Sequence, residues 1–324
     1  MTKADTNLHT IAGSSVVIRD NNRYTEYRNK WNEWPEKYIT EKFPLHLDVE
    51  ATNLCNLKCP FCENTFNKYR YGRMPRNIWK SIVAESGEEN LYSLKFSLRG
   101  EPLLHPDLPR MIKEAKDAGV LDVYFNTNGV KLDEATSRKV IEAGIDRISI
   151  SFEGYQKEVY EKYRVGARFD DVVKNIRTFR EVRDATGNEK PYIRIQTVMV
   201  PEMVGRGREY SDFWKPVADE IAYLDMRDEE SNPDHTGKLS DWACPQLWQR
   251  MSITWDGNIL PCVQDIFEKM SPGNVLDISI KDAWNGQQVQ QYRNLHRSGR
   301  SHEISSCDRC AFRENEISKL KKNC

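Results

Sequence analysis

The sequence predicts an α/β protein, a parallel sheet with helices packed outside it, followed by a smaller cysteine-bearing unit. Two observations carry this. From residue 45 short apolar runs alternate with amphipathic stretches, a strand followed by a helix every 25 to 45 residues. The eight cysteines fall into two groups, three at 55–62, none at 63–243 and five from 244 onward. A disulfide framework needs no such segregation; two metal centres in two units produce it.

Residues 1–44 read as an N-terminal extension. The first twenty are polar and unpatterned, and a frayed end is expected. Within 24–38, Tyr27, Trp31 and Trp34 recur at helical spacing and Pro35 stops or bends the segment. This predicts a helix packing over one end of the core rather than a substrate-facing lid.

Residues 45–230 form the main unit. Strands are expected at 45–50, 93–98, 122–126, 147–152, 192–200 and 221–225, and helices at 76–85, 109–118, 133–142, 169–184 and 210–217. Asp117-Ala118-Gly119 and Glu142-Ala143-Gly144 set a glycine at a helix end before the next strand. In strand five, Ile193, Ile195 and Thr197 face outward and Arg194, Gln196 and Val198 inward. Two polar side chains inside a barrel need partners. Substrate or cofactor would supply them, and so would a salt bridge with Asp225 or Arg227; Arg194, Gln196 and Arg227 are therefore the candidate catalytic residues.

Just after the first strand comes Cys55-Asn-Leu-Lys-Cys59-Pro-Phe-Cys62. A zinc structural site wants four protein ligands, and three local cysteines are a poor one. An iron–sulfur cluster is normally held by four thiolates, so three leave one iron open to a small molecule. Small buried cysteines or part of a zinc knuckle are the bland alternatives.

Cys55-x3-Cys59-x2-Cys62, with Phe61 before the last cysteine, resembles the signature of the radical S-adenosylmethionine (radical SAM) enzymes. The resemblance implies a partial (β/α)6 TIM-like barrel. It also implies a [4Fe–4S] cluster whose open iron is chelated by the amino and carboxylate groups of SAM, with Phe61 beside the cofactor. Arg99-Gly100-Glu101-Pro102 resembles the family's Gly-Glu-Pro motif, which binds the SAM amine through strand-end carbonyls and, here, Glu101. The family usually has glycine where this chain has Arg99. Ser149-Ile-Ser151-Phe-Glu153-Gly154 is similar to its Ser-x-Asp-Gly, Glu153 standing for the usual Asp. Ser151 and Arg164 would then hold the SAM carboxylate, which an arginine fork suits. In Asn126-Thr127-Asn128-Gly129 the short amides Asn126 and Asn128 suit ribose hydroxyls, but an ordinary turn reads equally well.

Residues 231–324 form the second unit, entered through the linker-like 231–237. Cys244, Cys262, Cys307 and Cys310 follow with 17, 44 and 2 residues between them. A hairpin around Asp256-Gly257, with a type I′ turn, returns Cys262 towards Cys244, and a helix is expected at 280–285. Four thiolates make a closed site, for which zinc is a fair rival. The pattern resembles the twitch domain, the short form of the SPASM extension found in radical SAM aminocyclitol dehydrogenases. That resemblance implies one auxiliary [4Fe–4S] cluster. Cys324 reads as a spare thiol, or as a replacement for one of the four.

The resemblance implies reductive cleavage of SAM to a 5′-deoxyadenosyl radical that takes a hydrogen atom from substrate. With the auxiliary cluster accepting an electron, the outcome is a two-electron oxidation, such as alcohol to ketone. A small polar substrate is expected (a sugar, cyclitol or sugar nucleotide), with a flavodoxin or ferredoxin as electron donor. Peptide or protein modification and epimerisation are the enzymatic alternatives. An iron–sulfur electron carrier or zinc-structured binding protein is the non-enzymatic one. With 48 basic against 49 acidic residues and a pI near 6.6, bulk charge leaves no footprint for nucleic acid or anionic membrane. No run approaches the roughly 20 apolar residues of a membrane span and no signal-peptide core opens the chain, so a cytoplasmic protein is expected.

Overall fold

The computed structural model describes residues 8–10, 21–68, 70–224, 243–308, 310 and 312–313. The chain opens with β1 (Leu8–Thr10) and α1 (Asn22–Lys37) and then alternates. In order come β2 (His46–Val49), α2 (Glu63–Phe66), α3 (Arg76–Glu88), β3 (Ser93–Phe96), α4 (Leu108–Asp117), β4 (Asp122–Thr127), α5 (Glu134–Glu142) and β5 (Arg147–Ser151). They are followed by α6 (Lys157–Tyr163), α7 (Phe169–Ala185), β6 (Tyr192–Val198), α8 (Gly207–Trp214) and β7 (Glu220–Leu224). The second unit holds α9 (Gln246–Gln249), β8 (Arg250–Ile253), β9 (Asn258–Leu260), β10 (Gly273–Asn274), α10 (Ile280–Asn285), α11 (Gln287–Arg297) and α12 (Ser305–Asp308).

Strands β2 to β7 lie side by side in sequence order, each parallel to the next, as six strand–helix units require. This is the mostly parallel sheet of a partial TIM-like barrel. Alternation along each strand decides what faces where. Leu47, Leu94, Phe125, Ile148, Ile150 and Ile195 point under the helices and are fully buried. The alternate residues line the interior and are polar. Asp48 meets Lys95 at 2.5 Å and Arg250 at 3.5 Å, and Arg147 forks onto Asp122 at 2.8 and 2.6 Å while lying 3.9 Å over the Tyr124 ring. Desolvation of so many charges costs stability unless they are paired, and the floor of the barrel accordingly carries a network of ion pairs.

Helix α1 covers that floor. Tyr27 stacks on Tyr92 and Trp31 sets its edge on His46 at the start of β2, the end of the barrel away from the cysteine loop. The expected packing role fits, but Pro35 does not end the helix, which runs to Lys37. Proline lacks the N–H that would bond the carbonyl four residues back. Here that carbonyl, of Trp31, accepts from the Gln249 side chain at 2.7 Å. The expected frayed start is also corrected in part: Leu8–Thr10 pairs antiparallel with β7 at the sheet edge.

The second unit is continuous with the barrel sheet. β8 pairs parallel with β2 over His46↔Arg250 to Val49↔Ile253, and β9 and β10 extend it antiparallel. The hairpin around Asp256-Gly257 is present, but its turn is not type I′. Gly257 N–H bonds the Thr254 carbonyl at 2.9 Å and Thr254 N–H bonds that of Asn258 at 3.0 Å. Of the loop residues Gly257 has positive φ, +93°, whereas type I′ needs two. It is a three-residue loop closed by a left-handed glycine. Asp225, Arg227, the 231–237 linker and Cys324 lie outside the described residues.

Candidate active site

The three-cysteine loop hangs from the end of β2, and residues before it fix its shape. Thr52 Oγ1 donates to the Gly72 carbonyl at 2.6 Å, and Asn53 clasps residues 70–72 through both ends of its amide. Asn64 and Thr65 at the start of α2 bond back to the Asn53 and Cys59 carbonyls. None of these four was marked by a motif; the polar pair Thr52-Asn53, one residue short of Cys55, was the available signal. Burial raises the Cys55 thiol and pushes Cys59 up to about 11, the Arg164 guanidinium acting the other way on both.

Gly100 sits at φ +74°. A Cβ there would lie 2.6 Å from backbone atoms of Thr52, Asn53 and Leu54, and Glu101 N–H bonds the Leu54 carbonyl at 2.7 Å. The glycine therefore admits the backbone that leads into the cysteine loop. The Glu101 carboxylate is turned onto the end of β4. It accepts from Thr127 Oγ1 at 2.8 Å, Asn128 N–H at 2.7 Å and Leu103 N–H at 3.1 Å. Burial nevertheless pushes its pKa up to about 7. Asn128 reaches Asn56 of the cysteine loop at 3.0 Å, while Asn126 faces the interior half-buried.

Arg164 caps the end of α6, an element the sequence reading did not foresee. Its guanidinium is engaged by both Glu153 oxygens, lies 5.7 Å from the Phe61 ring centre, and sets Nη1 3.7 Å from Cys59 Sγ. Ser151 lies one strand-end away and accepts from Gln196 Nε2 at 3.1 Å. Thus Phe61, Arg164, Glu153 and Cys59 are brought together, and Ser151 pairs with Gln196. Arg194 sits deeper, 3.7 Å from Glu220. The inward parity expected for Arg194 and Gln196 is the observed one.

Arg99, the departure from the family pattern, is buried and bidentate to Glu50, with Nε to Oε1 at 2.7 Å and Nη2 to Oε2 at 2.9 Å. It also reaches the second unit, donating to the Ile266 carbonyl at 3.2 Å and to Glu268 at 3.0 Å. Trp255 N–H completes the Glu50 shell at 3.1 Å. Burial pushes the Glu50 carboxyl up, the Arg99 fork and two backbone N–H groups opposing it.

In the second unit Cys244, Cys262, Cys307 and Cys310 line one cavity with Gln264 and His296. None is in a disulfide. The sulfurs ring this cavity rather than close on a point: among the described residues no three histidine, cysteine or carboxylate side chains converge to hold a single ion. Burial pushes Cys262 up to about 12 and Cys244 and Cys307 well above the usual thiol range. A metal must displace those protons, so binding and deprotonation are linked. The donor chemistry of both sites, three thiols and four, fits iron–sulfur clusters.

Residues 49–194 match the radical SAM superfamily and residues 244–311 the SPASM iron–sulfur cluster-binding domain. A probable GTP 3′,8-cyclase of Methanococcus maripaludis is 36% identical over 279 residues, covering 75% of this chain and 91% of that protein. The PqqA peptide cyclase of Granulibacter bethesdensis is 27% identical over 309 residues, covering 82% and 80%. Among solved structures, BtrN in complex with AdoMet and 2-DOIA superposes with TM-score 0.57 at 20% identity, over 83% of this chain and 93% of that one. Streptococcus suis SuiB bound to S-adenosylmethionine gives 0.66 at 18% identity, over 87% and 75%. At such identities these two speak for the fold alone. No described helix is long and apolar enough to cross a membrane. With the cysteine loop at the end of β2, the four-thiol cavity beyond β8 and these likenesses together, the chain belongs to the radical SAM superfamily and carries a SPASM-type domain, with SAM and two [4Fe–4S] clusters as its cofactors.

Proposed function

We propose that this enzyme oxidises a small polar molecule (a sugar, cyclitol or sugar nucleotide) by two electrons. The observation that carries the reading is the polar interior beneath the cysteine loop. Gln196 spans Ser149 at 2.9 Å and Ser151 at 3.1 Å, and Arg194 faces Glu220 at 3.7 Å. Ser149 is buried and the other four are half-buried, and each pair is held by one contact. A ligand bearing several hydroxyls offers both donors and acceptors to them, which an apolar side chain does not. When bound, SAM and its cluster supply the radical that takes the hydrogen atom, and the auxiliary cluster takes the second electron. Cys55, Cys59 and Cys62 would hold the first cluster; Phe61, Gly100, Glu101, Pro102, Asn126, Asn128, Ser151 and Arg164 would seat SAM. Cys244, Cys262, Cys307 and Cys310 would hold the second cluster. Arg194 and Gln196, with Arg227, would orient substrate hydroxyls.

A second reading, peptide modification, is favoured by the likeness to the PqqA peptide cyclase over 80% of its length. The two are separated by supplying anaerobically reconstituted enzyme, SAM and a strong reductant with deuterated polyols, sugar nucleotides or peptides. Deuterium should pass from a polyol or sugar nucleotide into 5′-deoxyadenosine, one per product. Transfer from peptides alone, or SAM regenerated at each turnover, would sink the proposal. Cys59→Ala should abolish SAM cleavage, whereas Cys307→Ala should keep uncoupled cleavage and lose product.

A further inference from the structure

We propose that His296 and Arg313 bias the auxiliary cluster towards taking up an electron. In this assignment His296 donates its Nε2–H to the Cys307 sulfur, and Arg313 lines the same cavity as a buried cation. The proposal rests on the four-cysteine site holding a cluster and deepens the acceptor role given to it above.

The tautomer follows from one contact. Cys244 N–H points at His296 Nδ1 at 3.2 Å, and a backbone N–H can only donate. Nδ1 is therefore the acceptor, and the ring proton of a neutral imidazole sits on Nε2. A doubly protonated ring would set a second N–H against that backbone donor, so the ring is neutral. Nε2 in turn lies 3.5 Å from Cys307 Sγ, within reach of an N–H···S bond. The ring is 2% exposed on α11, so it has little room to turn away.

Arg313 is 3% exposed and lines the same cavity, its Nε donating to Ser301 Oγ at 2.9 Å. Among the described residues Asp265 is the opposing charge, but three donors already hold it: Ser306 Oγ at 2.6 Å, Met270 N–H at 2.7 Å and Lys269 N–H at 3.1 Å. The first site differs in kind. There Arg164 Nη1 stands 3.7 Å from Cys59 Sγ, and both oxygens of the buried Glu153 engage its guanidinium.

Adding one electron takes a [4Fe–4S] core from 2+ to 1+, with all four thiolates retained and no proton taken up. Negative charge on the sulfurs rises, so a donor to sulfur and a nearby cation stabilise the reduced form more than the oxidised. In the proposed reaction the electron comes from the substrate-derived radical; in the test it comes from dithionite.

The test uses full-length chain carrying Cys55→Ala, Cys59→Ala and Cys62→Ala, so that the auxiliary cluster is the one observed. It should bind about four irons and give a reduced-cluster EPR signal. A chain that loads no iron removes the cluster, and with it the proposal. On that background His296→Phe should lower the reduced-to-oxidised ratio about tenfold at a fixed potential, or 59 mV for a one-electron couple. His296→Gln, whose Nε2 can still donate, should recover most of the change. Arg313→Gln should lower the ratio about tenfold as well, and Arg313→Lys should stay within about threefold. Should His296→Phe fail to load iron, the arginine pair decides. Loaded His296→Phe or Arg313→Gln proteins that titrate like the parent, or at higher potential, would overturn the assignment.

Discussion

Replacing Arg99 with alanine would expose how the cysteine-loop end of the barrel is tied to the second unit. The side chains of Glu50 and Arg99 are 0% and 6% exposed, and the fork between them measures 2.7 and 2.9 Å. Arg99→Ala leaves the Glu50 carboxylate with two backbone donors, Trp255 N–H at 3.1 Å and residue 99's own N–H at 3.2 Å. An uncompensated buried charge of this kind costs about 3–5 kcal/mol. The Coulomb attraction is not the right measure, because much of it only offsets desolvation already incurred in folding. Arg99→Met combined with Glu50→Gln should therefore come back to within about 2 kcal/mol of the parent. Arg99→Lys should fall between, since one ammonium cannot reproduce a fork and also reach Glu268. Anaerobic urea unfolding followed by tryptophan fluorescence measures all three, and proteolysis within 262–270 reports release of the contacted loop. An Arg99→Ala protein within about 1 kcal/mol of the parent, with that loop still protected, would refute the reasoning.

Two further outcomes follow from the same end of the barrel. Gly100→Ala puts a methyl 2.6 Å from main-chain atoms at φ +74°, so the backbone leading to Cys55 must shift. A displacement near 1 Å should cut SAM cleavage by roughly a hundredfold, with iron at the second site unchanged by elemental analysis. Glu101 is buried with its pKa raised from 4.5 to about 7. A raised carboxyl favours the fold while protonated in the native state, so its contribution is lost as pH climbs from 4.5 to about 7. Across that window the unfolding free energy of the parent should fall by roughly 3 kcal/mol relative to that of Glu101→Gln, as read by urea titration of both proteins at each pH.

What was legible in the sequence was local. Period-two alternation placed Arg194 and Gln196 inside, the cysteine spacing marked both metal sites, and glycines at 119 and 144 closed α4 and α5 where expected. What was not legible depends on partners distant in the chain. Pro35 is tolerated because Gln249 serves Trp31 from 218 residues away. Arg99 looked like a mere departure from a motif until Glu50 and Glu268 were found around it. Ser151 and Arg164, expected to hold the SAM carboxylate, each also have a side-chain partner of their own, Gln196 and Glu153. The hairpin turn was misread because Asn-Gly-like dipeptide rules do not reveal whether a loop has two residues or three. α11 and its His296 fell in a cysteine-free interval, where no motif drew attention to Val289, Arg293 and His296 recurring along one helical face.

The pairing of β8 with β2 has a mechanical consequence. Cys55, Cys59 and Cys62 follow β2 and Cys262 follows β9, which is joined to β2 through β8, so the two centres are tied to one ladder by backbone bonds such as Glu50 N–H to the Ile253 carbonyl at 2.8 Å. Cutting the polypeptide ahead of residue 243 would do more than delete one centre. It would bare a four-residue rail of unmatched amides along β2, an invitation to stick to another molecule.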